Sequence, residues 1–429
     1  MINLNTYADI NRLVIDSRYA REKHINVISI PSAELKLLKR ELLSVNSSDP
    51  EWTTKVNKYK RLINEEKVNT NVFILKYDKS MLNEGNSKTL GLFRSVVTDG
   101  KNVIAYAPPK SINIDDFENG NDVELLEYVD GTMINVYFNN NNNKWEIATR
   151  SNVGAKYKFF DNCEKTFEEM FFEAFNAMNM DFADFKRGYS YSFVLQHPEN
   201  RIVVPIKDPR LILTNVYKLD GFTVQEMDIY DVSGSWVNGD ITSHNKLMFP
   251  KRLNDIIDIS GLTIENIQEF IWSGNALYYD TVGAMLINRC TGDRTKIRNP
   301  MYEYVRNLRG NNAKLQYHYY YLRYHGKLAE FLKYFPELGE KFQKYREQVH
   351  AWTKRLNDNY TSCYIRKEQE LKNFPFEFRS HMFQLHQKYL NNSVDFVSRS
   401  VVIRFVNDLI PSYLMSSINY PFKGAVNRQ

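Results

Sequence analysis

Cysteine is nearly absent. The three in 429 residues, Cys163, Cys290 and Cys363, lie too far apart for a disulfide framework or for the closely paired ligands of a zinc cluster, so no metal site is expected. An excess of one charge is also missing. Against 51 Asp+Glu stand 56 Lys+Arg, a formal +5, so attraction to a polyanion must come from local clustering. No apolar run approaches the roughly 20 residues that span a bilayer. The opening Met1-Ile2-Asn3-Leu4 lacks the basic start, apolar run and cleavage site of a signal peptide. These absences predict a soluble protein of a reducing compartment, the cytoplasm, with no membrane contact.

What is present is a large apolar share, 43%, with 14% aromatics, sufficient to bury cores in two or three domains. Residues 1–70 carry helical patterns, the clearest starting at Ser32, which can cap a run with apolar residues at helical spacing, and another running from Pro50 through Glu66. From Asn71 the period changes. Short β-rich runs at Val72 to Leu75, Val96 to Thr98, Val103 to Tyr106 and Ile134 to Phe138 are separated by Asp99-Gly100 or by the asparagine run 139–143, which predicts hairpins.

Helical signal returns near 165–180, then strands are expected at Tyr189 to Leu195, Ile202 to Val204 and Leu211 to Tyr217. A strand pair is expected at Leu277 to Tyr279 and Ala284 to Asn288. The last part of the chain is helical. From Asn311 it carries about eight more basic than acidic residues, with Tyr317, Tyr319, Tyr320, Tyr321 and Tyr324 interleaved. Most such tyrosines pack helices, although beside Arg323 and Lys327 they also suit a single-strand binding surface.

Four segments stand in a telling order. Arg94-Ser95-Val96-Val97 leads through Asp99-Gly100 to Pro108-Pro109-Lys110-Ser111-Ile112-Asn113. Tyr128-Val129-Asp130-Gly131-Thr132 leads to Ala148-Thr149-Arg150-Ser151. Phe193-Val194-Leu195-Gln196-His197-Pro198-Glu199-Asn200-Arg201-Ile202-Val203 follows. Last come Val282-Gly283-Ala284-Met285 and Lys296-Ile297-Arg298-Asn299-Pro300-Met301-Tyr302.

Across residues 71–305 this order resembles the RNA ligases of the phage tRNA-repair type, in the covalent nucleotidyltransferase superfamily that includes DNA ligases and mRNA capping enzymes. Pro-x-Asn-Arg-Ile-Val is the most specific match. The resemblance implies an α+β protein: a helical extension over 1–70, a nucleotidyltransferase (ATP-grasp-like ligase) domain of antiparallel sheets over 71–310, and a helical C-terminal domain over 311–429. It implies that Arg94, Lys110, Arg150, Arg201, Lys296 and Arg298 hold phosphates, the alternative for Arg201 being that it braces its turn. It places Tyr128, with Asp130 and Gly131, at the nucleophile motif. Certain phrases also resemble proteins of large DNA viruses, which would put the chain in a host cytoplasm or a virion.

The departures fall on the chemistry. The family's nucleophilic lysine is Tyr128, and its two glutamates are Val194 and Val282. A lysine amine makes a labile phosphoramidate, whereas a phenol with an ordinary pKa near 10 needs activation, and valine offers no oxygen to a ribose or Mg²⁺. Phosphate contacts need no chemistry to be useful. The leading expectation is therefore an RNA or RNA-end binding protein without lysyl-nucleotide chemistry, for which no particular cofactor is implied. A second is an active ligase, using ATP and Mg²⁺ with a displaced nucleophile such as the lysines of Lys76-Tyr77-Asp78-Lys79, or Tyr128 itself. A third is a scaffold with a protein partner or a place in a virion.

Overall fold

The computed structural model describes residues 1–29, 54, 57, 72–120, 122–161, 163–231, 233–238, 247–256, 259, 261–275 and 278–421. It is mixed α+β, and among the described residues the strands of its three sheets pair antiparallel. Two compact units divide it, the first ending at Asn307 and the second holding the segment from Leu308.

In the first unit a six-stranded sheet carries β1 (Ile2–Asn3), β11 (Thr223–Met227), β10 (Arg210–Asp220), β9 (Tyr189–Gln196), β7 (Thr132–Asn139) and β8 (Lys144–Ala148), in that order. Alternation along these strands sends Ile134, Val136, Phe193, Leu195, Leu211 and Leu213 to one face. There they pack with Phe167, Met170, Phe171 and Phe175 of the helix α3 (Phe167–Ala177). Thr166 and Glu169 close a reciprocal capping box at the start of that helix, which fixes where it begins. The asparagine run forms the β7–β8 turn, with Asn143 at φ 54°.

A four-stranded sheet orders β2 (Ile25–Ser29), β3 (Phe73–Tyr77), β4 (Val96–Thr98) and β5 (Val103–Tyr106). A three-stranded one orders β13 (Arg294–Arg298), β12 (Gly283–Asn288) and β6 (Val123–Glu127). One face of this last sheet supplies Leu125, Ala284, Leu286 and Ile297 to a core with Ile267 and Ile271 of α4 (Ile264–Asn275). The helix α5 (Pro300–Arg309) follows β13 directly.

Residues 1–29 differ from the helical extension expected. Two short helices, α1 (Ile10–Ile15) and α2 (Ser17–Glu22), are flanked by β1, which pairs with β11, and β2, which pairs with β3. Leu4, Ile10 and Leu13 are core residues beside Leu75, Phe93 and Val96, so sheet pairing and burial outweigh the helical pattern. The helices expected from Ser32 and from Pro50, apart from residues 54 and 57, lie outside the described residues.

Two expected strands do not form. Ile202 to Val204 read as β-branched, yet the amides of Val203 and Val204 point at Asp130 rather than a strand partner. Of the strand expected over 277–279, Leu277 lies outside the described residues and 278–280 are coil and turn, the edges of β12 being already taken by β6 and β13.

The second unit is helical in its described residues after 308: α6 (Leu315–Tyr324), α7 (Leu328–Tyr334), α8 (Gly339–Tyr360), α9 (Phe376–Leu390), α10 (Arg399–Asn407) and α11 (Pro411–Ile418). Its core is aromatic. Trp352 stacks on Phe378 at 5.4 Å, and buried His381 accepts or donates a 2.8 Å bond with Ser417 Oγ. Among the described residues no single helix is long and apolar enough to cross a membrane.

Candidate anion-binding cleft

The second face of the β6–β12–β13 sheet is built differently from the first. Register sets Met285 between Leu126 and Lys296, and Gly283 opposite Arg298. Because side chains alternate, Arg294, Lys296 and Arg298 point the same way as Met285, Ile287 and Leu126. These six, with Tyr128, line a cleft of about 390 Å³. Tyr128 follows β6 and is held there by its backbone N–H, which donates to Gly283 O at 3.0 Å.

The facing wall comes from other elements. Met133 and Val194, cross-strand partners on β7 and β9, line it together with Arg150. Arg94 precedes β4 and Lys110 follows β5, the Lys110 amide donating to Gly91 O at 3.0 Å. Arg306 reaches in from α5. Eight lining residues are cationic: Lys79, Arg94, Lys110, Arg150, Arg294, Lys296, Arg298 and Arg306. One, Glu127, is acidic, so the cleft is an anion site by composition.

These cations feel one another. Burial, then Arg298, Lys110, Arg94 and Arg306, push the Lys296 amine down to about 8. Lys110 is lowered by burial and by Arg94 and Arg298. Arg298 goes the other way: burial opposes its charge, but the Tyr128 phenol and Glu303 outweigh that and hold it above its ordinary value. Its guanidinium carbon lies 5.8 Å from the Tyr128 ring centroid, and Arg298 also pairs with Glu303, which binds Arg306 at 3.1 Å. Arg150 lies over the Tyr77 ring at 4.7 Å and donates to Arg94 O at 3.3 Å. Arg294 is the most buried of the set and is tied to Glu226 at 3.1 Å.

Asp130 stands beside the cleft without opening into it. Its Oδ2 accepts from the amides of Val203 and Val204, both at 3.0 Å, and its Oδ1 accepts from the Tyr302 phenol at 2.8 Å. Gly131 has φ 146°, and a Cβ there would lie 2.5 Å from Leu195 O and 2.6 Å from Val194 Cγ1. Only glycine fits such a backbone, so the Asp-Gly pair is a structural joint.

Of the expected phosphate residues, Arg94, Lys110, Arg150, Lys296 and Arg298 meet in this cleft. Arg201 does not line it; its Nε donates to Val203 O at 2.9 Å, within its own loop. Of the alternative lysines, Lys79 lines the cleft and Lys76 donates to Ser151 Oγ at 2.9 Å. His197 pairs with Glu173 at 3.0 Å and is not among the lining residues. Arg294 and Arg306 were not anticipated; the period of β13 carried a signal for Arg294.

The donor set does not suit a divalent cation. Glu127 is the single lining carboxylate and accepts from the Lys251 amide at 3.3 Å, while Asp130 has its oxygens occupied. Among the described residues no group of three or more His, Cys, Asp or Glu is placed to hold a metal. Val194 lines the cleft and Val282 is buried just before β12, and a valine side chain offers no oxygen to a metal.

Fold and cleft together define a mixed α+β protein with a cationic cleft. No family model matches the chain. It is similar to a protein named RNA ligase from Rhodothermus phage RM378, 23% identical over 281 residues, which cover 60% of this chain and 62% of that protein. The chain thus spans about three fifths of the length of that relative. This supports an RNA-ligase-like relationship.

Proposed function

We propose that the chain is an RNA-ligase-like protein of nucleotidyltransferase fold that binds RNA, or an RNA end, through phosphates held in the cationic cleft, without forming a lysyl-nucleotide. The carrying observation is the contrast within one cleft: eight cations and a single carboxylate, with Tyr128 rather than an amine at the motif position. Arg and Lys bind phosphate by charge-assisted hydrogen bonds that need no reacting group. Tyr128, bonded to Arg298, serves to fix that guanidinium.

Filter binding of RNA tests this reading. Arg298→Ala and Lys110→Ala are each expected to lower affinity and reduce the slope of log affinity against log salt by about 1. Unchanged affinity and slope in both variants would remove it.

One observation favours a second reading. The Lys296 amine, lowered to about 8, is partly deprotonated near neutral pH and lines the same cleft, as a displaced nucleophile would. Incubation with α-labelled ATP and Mg²⁺ separates the two. A labelled band lost in Lys296→Ala establishes the enzyme, and absence of label leaves the binder.

A further inference from the structure

The outward face of α6 is aromatic where a surface helix ordinarily carries charge. Its inward face is conventional: Leu315, His318, Tyr319 and Leu322 are buried, with Tyr319 against Phe342 at 5.3 Å and His318 against Phe331 at 5.2 Å. Positions 314, 317, 321 and 324 recur at helical spacing on the other side, as Lys314, Tyr317, Tyr321 and Tyr324. Tyr321 and Tyr324 are 41% and 43% exposed. His325, also exposed, sits between them with ring centroids at 4.4 Å from Tyr321 and 5.2 Å from Tyr324.

The chemistry of this stripe is selective. It contains rings but no Leu, Ile, Val or Met, which a protein-docking helix face would use. Exposed lysines, Lys314 and Lys327, bracket it in sequence. Residues 311–429 hold 18 Lys+Arg against 10 Asp+Glu, whereas residues 1–310 hold 38 against 41, so the cationic excess of the chain lies in the segment bearing the stripe. Polyanion attraction and flat π faces combine in one kind of ligand. Duplexes hide their base faces, which leaves single strands.

We propose that Tyr321, Tyr324 and His325 form a platform on which bases of single-stranded RNA stack, with Lys314 and Lys327 holding the adjoining phosphates. This extends the RNA-binding reading to a second surface, and the two fail separately. The cleft contacts phosphates and is indifferent to bases; the platform needs them.

The test uses the full chain and fluorescence anisotropy with three probes: a single-stranded RNA oligonucleotide, the same backbone with abasic positions, and an RNA duplex. The double variant Tyr321→Leu/Tyr324→Leu is expected to bind the base-bearing strand on the order of tenfold more weakly per ring lost, with the salt slope unchanged. Tyr321→Phe/Tyr324→Phe keeps the rings and is expected to bind as wild type. The abasic strand should bind wild type and Leu variant alike, and the duplex should not distinguish them. As a second handle, Lys314→Glu/Lys327→Glu should reduce the salt slope by about 2.

Wild-type affinity in the Leu variant overturns the platform, as does an equal loss on the abasic strand or failure of wild type to bind the single strand. Capture of a protein partner that the Leu variant loses, without change in RNA affinity, also overturns it. If Lys110→Ala and Arg298→Ala bind RNA as wild type while the Leu variant does not, the cleft reading falls and the platform stands. The reverse pattern removes the platform alone.

Discussion

Asp130 and Tyr302, 172 residues apart, are joined by a 2.8 Å hydrogen bond that closes off the last open side of a carboxylate already holding two backbone amides. The bond fastens the start of α5 to the turn before β7, and it places the Arg306 helix along the cleft. Burial, then Asp130, raises the Tyr302 phenol well above its ordinary range, so it remains a donor at every physiological pH.

Asp130→Ala leaves two buried amides and a phenol without an acceptor. It is expected to destabilise the first unit by about 3 kcal/mol, against about 1 kcal/mol for Tyr302→Phe, which removes one donor only. Chemical denaturation of the two variants measures the difference. Equal small losses would mean that the carboxylate does not organise this joint.

Glu303 holds two of the cleft's cations, Arg298 and Arg306. Glu303→Gln removes that competition, so RNA affinity at low salt should rise by about threefold to tenfold, with the gain shrinking as salt is added. A loss of affinity in this variant would show that Glu303 positions Arg298 more than it restrains it.

Burial, then Arg298, Lys110, Arg94 and Arg306, lower the Lys296 amine to about 8; in the same cleft Glu127 is the lining acid, and Glu303 pairs with Arg298. A bound phosphate raises it again, so binding takes up a proton and affinity falls as pH rises through 8, by up to about tenfold per unit. Titration calorimetry of tripolyphosphate at pH 8, in buffers of different ionisation enthalpy, reads the proton directly. Lys296→Met should reduce that uptake. The same depression makes the unliganded fold gain stability as pH rises from about 8 toward the ordinary lysine value, because the unfolded chain then holds the extra proton.

In the second unit, burial pushes His318 and His381 down to about 4. Arg309 adds to the effect at His318. Both rings are neutral when folded, while the unfolded chain takes up protons below about 6.5. Stability should therefore drop as pH falls from about 6.5 to 4. Thermal melts of the full chain across that range should show a transition that weakens with acid, and His381→Gln should flatten part of the trend. A flat profile would contradict the burial of these rings.

Much of the antiparallel architecture was legible because one-sided strands alternate and hairpin tips carry Asp-Gly or asparagine. Five of the six cations that the resemblance implies share a cleft, and for Lys296 and Arg298 the alternation along β13 points the same way. What misled was long-range pairing. Val203 and Val204 look like strand residues until Asp130, 73 and 74 positions earlier, takes their amides. Arg201 carries the same charge as the cleft cations, but its Nε donates to Val203 O in its own loop. Arg306 lies three residues from Glu303 and reads locally as an ordinary helix ion pair. The sheet contacts of residues 1–29 depend on partners near 73–77 and 223–227, beyond any local window.

The β6–β12–β13 sheet divides its residues between its two faces: Leu125, Ala284, Leu286 and Ile297 hold the protein together, and their neighbours Leu126, Met285, Lys296 and Arg298 line the cleft. Descent with modification can therefore rewrite one set without disturbing the other. A related chain could change at the cleft-facing positions and still inherit an intact scaffold.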